Sequence, residues 1–358
     1  MMSDIRRRAQ RFVAWISIAA LLLSGIAPAY AQGNLWGRLT IAEGVCNTTS
    51  DHVAQTTLWY APCDGDQVLI SNGVSLTPVT FAASATDQVG LALPLWSSLP
   101  AQTLYDVFVV LNGGSPTLCL GPAWMSSAAG ASARAAPLAT FLDLVNGGSS
   151  IVNAAPMPCQ YSASSYFSCP QYQCSELGYF LSGALPGTID LKFGTGAVGC
   201  GAAILSLYNT HKRYPVRATV SDTTYGAWTY ASNNWRPAHG SLNCSIAAVA
   251  GVLGSDGAAN ASYVDFVGSA VAGAVAFIGL GLNSSTVIAG RQSVGIALAN
   301  SSPLLTLDTA FLTDNLPLGL NIIYALEISD GVHANTFSGS NGTDGVITNM
   351  QLTLNLEM

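Results

Sequence analysis

The chain has 358 residues, half of them hydrophobic, only 9% charged, with 36 glycines. Its formal net charge is −7, and past residue 31 only 8 Lys+Arg face 18 Asp+Glu. That balance excludes the clustered cations that nucleic acid or an anionic membrane surface requires, and charge this far below the usual value of about 25% excludes long solvated helices.

Arg6, Arg7, Arg8 and Arg11 precede an apolar run from Phe12 to Leu23, and the small-residue site Ala29-Tyr30-Ala31 follows. This is the layout of a Sec-type signal peptide over residues 1–31, which places the chain in the periplasm or outside the cell. The apolar core is short of the roughly 20 residues that a membrane anchor needs. All eight cysteines lie beyond the signal. An even number in an exported chain reads as disulfides. Cys46 is expected to pair with Cys63 and Cys200 with Cys244, while Cys159, Cys169 and Cys174 pair among themselves and with Cys119. No CxxC occurs and no cysteine has a histidine at zinc-finger spacing, so no metal ligands are expected among them.

From Leu35 the text alternates strand and turn. Asp64-Gly65 and Asn72-Gly73 favour tight reversals. Tyr105–Leu111 reads as a strand, Asn112-Gly113-Gly114 as its turn and Thr117–Leu120 as the return, the strongest hairpin signal in the chain. Ser126–Pro137 is small-residue rich and reads as a loop, with a short helix as the alternative. A boundary falls near Pro156–Gln160, which divides the mature chain into a β-domain over 32–158 and a larger unit over 159–358. Two short strands flank Pro186-Gly187, and strand-like runs separated by Asn/Ser/Asp/Gly turns fill the remainder. Phe266–Leu282 is 17 uncharged residues, at the lower edge of a membrane span. Its small residues and flanking Asp265 and Asn283 favour a pair of buried strands. The fold expected is all-β: a small N-terminal β-domain followed by a larger antiparallel, jelly-roll-like sandwich.

Gly194, Gly196 and Gly199 form a GxGxxG after an apolar run, with Asp222 further on. A dinucleotide site needs that turn to open a helix within repeated βαβ units, and an acid about 20 residues later. Nothing else here alternates strands with amphipathic helices, so no cofactor is expected. There is no GxSxG elbow. Of the four histidines, His52, His211, His239 and His333, none forms HExxH or an i, i+4 pair, and each reads as a surface or edge residue. Asp190, Asp222, Asp265 and Glu327 are the candidates for the paired carboxylates of a glycosidase. Most other aspartates stand in turns, and Asp64-Gly65-Asp66 and Asp256-Gly257 lack the full calcium-loop pattern. The most conspicuous constellation is Tyr225, Trp228, Tyr230 and Trp235 with Arg213 and Arg236. It reads either as a carbohydrate platform or as a core or subunit interface.

"GRLTIAEG", "TTLWYAPCDGDQVLISNG", "LYDVFVVLNGGSPTLCLGPAW", "LSLYNTHKRYPVRATVSDTTYGAWTYASNNWRPA" and "YALEISDGVHANTFSGSNGTDGVI" carry a resemblance to phage and prophage structural proteins of tail-fibre-like, virion-associated type. The resemblance covers most of the mature chain. It implies a non-enzymatic β-protein with a structural or adhesive role, binding a glycan or cell-surface partner, as a homo-oligomer. The signal and the eight cysteines depart from that family and point to an exported relative. The reading from a different class is a secreted carbohydrate-active hydrolase using paired carboxylates.

Overall fold

The computed structural model describes residues 37–81, 90–143, 148–223, 227–251, 258–269, 271, 273–289, 295–297, 306–338 and 350–358. The expected signal segment, Tyr225 and Asp256-Gly257 lie outside them. Within them the protein is all-β, and the sole helix is a 3-10 turn at Ala238–Gly240.

Among the described residues the strands form five sheets, of three, eight, eight, seven and two strands. The expected two-sheet jelly roll is therefore corrected to several sheets. Most pairings are antiparallel, but Ala203–Leu205 runs parallel to Ser245–Ala250, and Gly196–Ala197 to Pro215–Asp222. The physical reason is long-range pairing across the middle of the chain. Leu104–Asn112 pairs with Ser115–Ala123 on one side and Ser175–Leu181 on the other. His52–Gln55 joins Ile189–Lys192. The expected boundary at 158/159 falls within strand Met157–Gln160, which is bridged to the hairpin by Cys119–Cys159.

The local signals were sound. The hairpin turns at Gly113 and Gly114 with φ of 57° and 89°, and no Cβ is needed where the chain must reverse. All eight cysteines are joined, as Cys46–Cys63, Cys119–Cys159, Cys169–Cys174 and Cys200–Cys244. The Phe266–Leu282 run divides between strands Ala258–Gly268 and Val275–Leu282, which lie in different sheets. Among the described residues no helix is long and apolar enough to cross a membrane.

Two of the large sheets face each other. Ile246, Ala248, Ile278 and Ile323 from one, and Val220, Ala261, Tyr263 and Leu354 from the other, share one continuous core. Strand Ala258–Gly268 shows why. Ala259, Ala261, Tyr263, Asp265 and Val267 are buried while their neighbours up to Phe266 are not, the period of two that puts one face inward. An aspartate at a core-facing position of such a strand needs an explanation.

The GxGxxG glycines serve this packing. Gly194 has φ of +88°, and a Cβ there would overlap the carbonyl oxygen of Thr219. After Gly199 the chain makes strands Ala203–Leu205 and Leu207–Asn209, not the helix a nucleotide turn opens. Gly194→Ala is expected to lower stability by about 1–3 kcal/mol from backbone strain alone. A urea midpoint shift reads this out, and an unshifted midpoint refutes the close-approach account.

Candidate functional site

Three of the four candidate carboxylates converge between the facing sheets. Asp222 ends strand Pro215–Asp222, Asp265 lies on Ala258–Gly268, and Glu327 lies on Gly319–Ser329; they are 0%, 1% and 0% exposed. Asp190 stands apart and accepts hydrogen bonds from the backbone N–H groups of Ala54 and Ala184. It fixes two loops.

Each converging acid is held by named donors. Asp222 accepts a hydrogen bond from Gly199 N at 3.1 Å and contacts His239 Nδ1 at 2.5 Å. Glu327 accepts from Trp228 Nε1 at 2.8 Å, from Arg236 Nε at 2.7 Å and from the His239 backbone N at 3.4 Å. Arg236 stands directly opposite Glu327 in the sheet register. Asp265 accepts from Tyr263 Oη at 2.9 Å and from Phe266 N at 2.7 Å. Burial drives the Asp265 carboxyl well above the ordinary range; Tyr263 offsets this in part and the charge of Glu327 adds to it. Burial also raises Glu327, against the opposing pull of Arg236.

The expected aromatic platform is partly assembled. The Trp228 indole stacks on the His239 ring at 4.4 Å and 12°. The Arg236 guanidinium lies 3.8 Å over the Tyr230 ring, a cation–π contact. Trp235 lies across Gly279 beside Ile288. Arg213 is elsewhere, over the Tyr208 ring at 5.7 Å.

The sequence reads His239 as a surface or edge residue, and its geometry sets it apart. Its φ is +55°, a left-handed conformation that a non-glycine adopts at a cost. Its side chain is 27% exposed while that of Asp222 is fully buried. Nothing in the sequence announced the pair: 17 residues separate them and no motif spacing is involved. The Tyr263-Val264-Asp265 spacing did carry a signal, since residues two apart on a strand share a face.

The other histidines do different work. His333 Nδ1 contacts Asp330 Oδ2 at 2.6 Å within a turn. His211 is pushed down to about 4 by burial. Asp64 faces Arg38 and Lys212, not a calcium loop.

The sulfurs of Cys200 and Cys244 and a carboxylate oxygen of Asp222 lie within 4.8 Å of one another, a grouping able to hold a metal ion. Joined as a disulfide, the sulfurs offer no thiolate. Two surface cavities, one beside Cys169–Cys174 and one beside Trp59, share no lining residue with the carboxylate cluster.

No family model matches the chain, and no curated protein does. Among solved structures it is similar to dimeric latent PorU from Porphyromonas gingivalis, at 11% identity over 74% of this chain and 22% of that one, with a TM-score of 0.26. The chain thus spans under a quarter of that protein, at a likeness too low to carry an argument.

Proposed function

We propose that the protein is an exported hydrolase that acts on a carbohydrate, with its acid–base centre at Asp222, His239, Asp265 and Glu327. The observation that carries this reading is the 2.5 Å contact of a partly exposed His239 with the buried carboxylate of Asp222. A carboxylate on Nδ1 fixes the tautomer and orientation of an imidazole and leaves Nε2 to exchange a proton with a reacting group. Asp265, driven toward its protonated form by burial, is the neutral acid of the group, and Glu327 positions Trp228, Arg236 and His239. The half-exposed rings of Trp228 and Tyr230 supply an apolar wall of the kind that stacks on sugars.

The test is hydrolysis of chromogenic glycosides and soluble polysaccharides by mature, disulfide-intact protein. His239→Gln and Asp222→Asn are expected to lose about 10²–10⁴-fold in kcat. Absence of turnover by the wild type across the panel overturns the reading.

The structural or adhesive role implied by the phage-protein resemblance is the second reading. Its support is that Trp228 and Tyr230 each have a ring face taken by a protein cation or imidazole, a framework role. Glycan-array binding without turnover, unchanged by His239→Gln, favours that role, and light scattering tests the homo-oligomer it implies.

A further inference from the structure

Strand His52–Gln55 joins Ile189–Lys192 out of step. Ile189 stands opposite Gln55 and Leu191 opposite His52, so three steps on one strand face two on the other. The extra residue makes a bulge, and Ala54 has φ of +52°, a left-handed conformation that costs an alanine free energy. Asp190 holds it there, since its buried carboxylate accepts the Ala54 N–H at 2.7 Å. In a regular strand, residues three apart face opposite sides. Across this bulge, His52 and Gln55 line one cavity. Bulges and left-handed non-glycine residues cluster at places that hold a ligand.

The cavity holds about 350 Å³, toward the low end of the range for small-ligand sites. The outward face of strand Thr57–Ala61 lines it as well. Leu58 and Tyr60 of that strand are buried, while Thr57 and Trp59 are half-buried. Residues 41–43 complete the lining. They follow Thr40, which pairs with Trp59, and the Cys46–Cys63 bridge ties the chain beyond them to the end of the same strand. Trp59 differs from Trp228 and Tyr230. Among the described residues no ring stacks on its indole and no cation lies over it, so neither competes with a ligand for that face.

The polar lining is Glu43, His52, Gln55, Thr56 and Thr57, with no lysine or arginine. Such groups match hydroxyls rather than an acyl chain, and the missing cation disfavours a phosphate or a uronate. Glu43 is exposed, where water and salt screen its charge. A quaternary ammonium is held by a cage of aromatic faces, and Trp59 is the one tryptophan, tyrosine or phenylalanine in the lining. We propose that this cavity binds one neutral sugar ring, apart from the acid–base centre. The C–H face of the ring lies on the indole, and its hydroxyls hydrogen-bond with Gln55, Thr57 and Glu43. The inference does not rest on the hydrolase reading, since the two places share no residue and the readout here is binding.

The test follows the Trp59 indole N–H resonance of mature, disulfide-intact protein during titration with neutral methyl pyranosides of glucose, galactose, mannose and N-acetylglucosamine. Glucuronate and choline chloride are the charged controls. At least one neutral glycoside is expected to shift the resonance, with a Kd of about 1 mM. Saturation-transfer NMR of that glycoside reads the variants. Trp59→Ala is expected to weaken binding by about tenfold or more, Trp59→Phe to retain most of it, and His239→Gln to leave it unchanged. No shift with any neutral glycoside overturns the proposal, as does a shift with glucuronate or choline alone. Binding kept in Trp59→Ala and lost in His239→Gln assigns the sugar to the acid–base centre and also overturns it. Should Trp59→Ala fail to fold, the wild-type indole shift decides.

Discussion

Arg236→Met is expected to cost about 3–5 kcal/mol at pH 8, the loss that follows when one partner of a buried ion pair is removed. Arg236 Nε and Nη2 lie 2.7 and 2.5 Å from Glu327 Oε1. Glu327 is fully buried, and its charge reaches the Asp265 carboxyl and raises it further. Without the guanidinium, Glu327 has only the Trp228 indole and the His239 backbone as donors. Its pKa is already raised by burial, with Arg236 the main force pulling it down. The variant therefore binds a proton at Glu327 more readily when folded than when unfolded. By linkage its stability is highest below the unfolded carboxylate range and is lost as pH rises through the folded pKa. Urea midpoints at pH 5 and pH 8 should diverge more for Arg236→Met than for wild type. Adding Glu327→Gln should restore much of the loss at pH 8, since a neutral pair no longer needs the cation. Equal midpoints for wild type and Arg236→Met at both pH values would show that Glu327 is already neutral.

Much of this cluster was legible in the sequence. Asp222, Asp265 and Glu327, with Asp190, are the sequence's candidates for paired carboxylates, and Trp228, Tyr230 and Arg236 belong to its aromatic and cationic group; hydrogen bonds from Trp228 and Arg236 to Glu327 join the two sets. They were read separately because they lie on strands Pro215–Asp222, Ala258–Gly268 and Gly319–Ser329 of two different sheets, and sheet pairing over such distances leaves no local trace. Arg213 was grouped with the aromatics for its nearness in sequence, yet it packs on Tyr208.

The fold divides the same way. The hairpin over Leu104–Ala123 follows from turn chemistry, and the bridges Cys46–Cys63 and Cys200–Cys244 agree with pairings that the sequence suggests without fixing. The jelly-roll expectation failed where His52–Gln55 and Ser175–Leu181 pair across the assumed boundary. Gly178 shows the type of signal that was present and unreadable: a Cβ there would overlap the Tyr208 carbonyl, so the glycine marks a close strand approach without naming the strand.

The Cys200–Cys244 bridge is expected to be the most stabilising covalent link described here, together with Cys119–Cys159. It closes a separation of 44 residues, against 5 for Cys169–Cys174. In the chain-entropy account, Cys200→Ala with Cys244→Ala costs about 4 kcal/mol, about 2 kcal/mol more than the matching double variant at Cys169 and Cys174. A second effect follows from position. Gly199 N donates to Asp222, and Ser241 Oγ donates to Gly199 O at 2.7 Å, so the bridge clamps the loop that carries Gly199 to the segment after His239. Its removal is expected to loosen the Asp222–His239 contact as well as the fold. The nitrogen chemical shifts of the His239 ring read the contact directly, and a denaturant midpoint reads stability. Retained His239 shifts with a 4 kcal/mol loss would assign the bridge to chain entropy alone. A loss no larger than that of the Cys169–Cys174 variant would contradict the loop-length account.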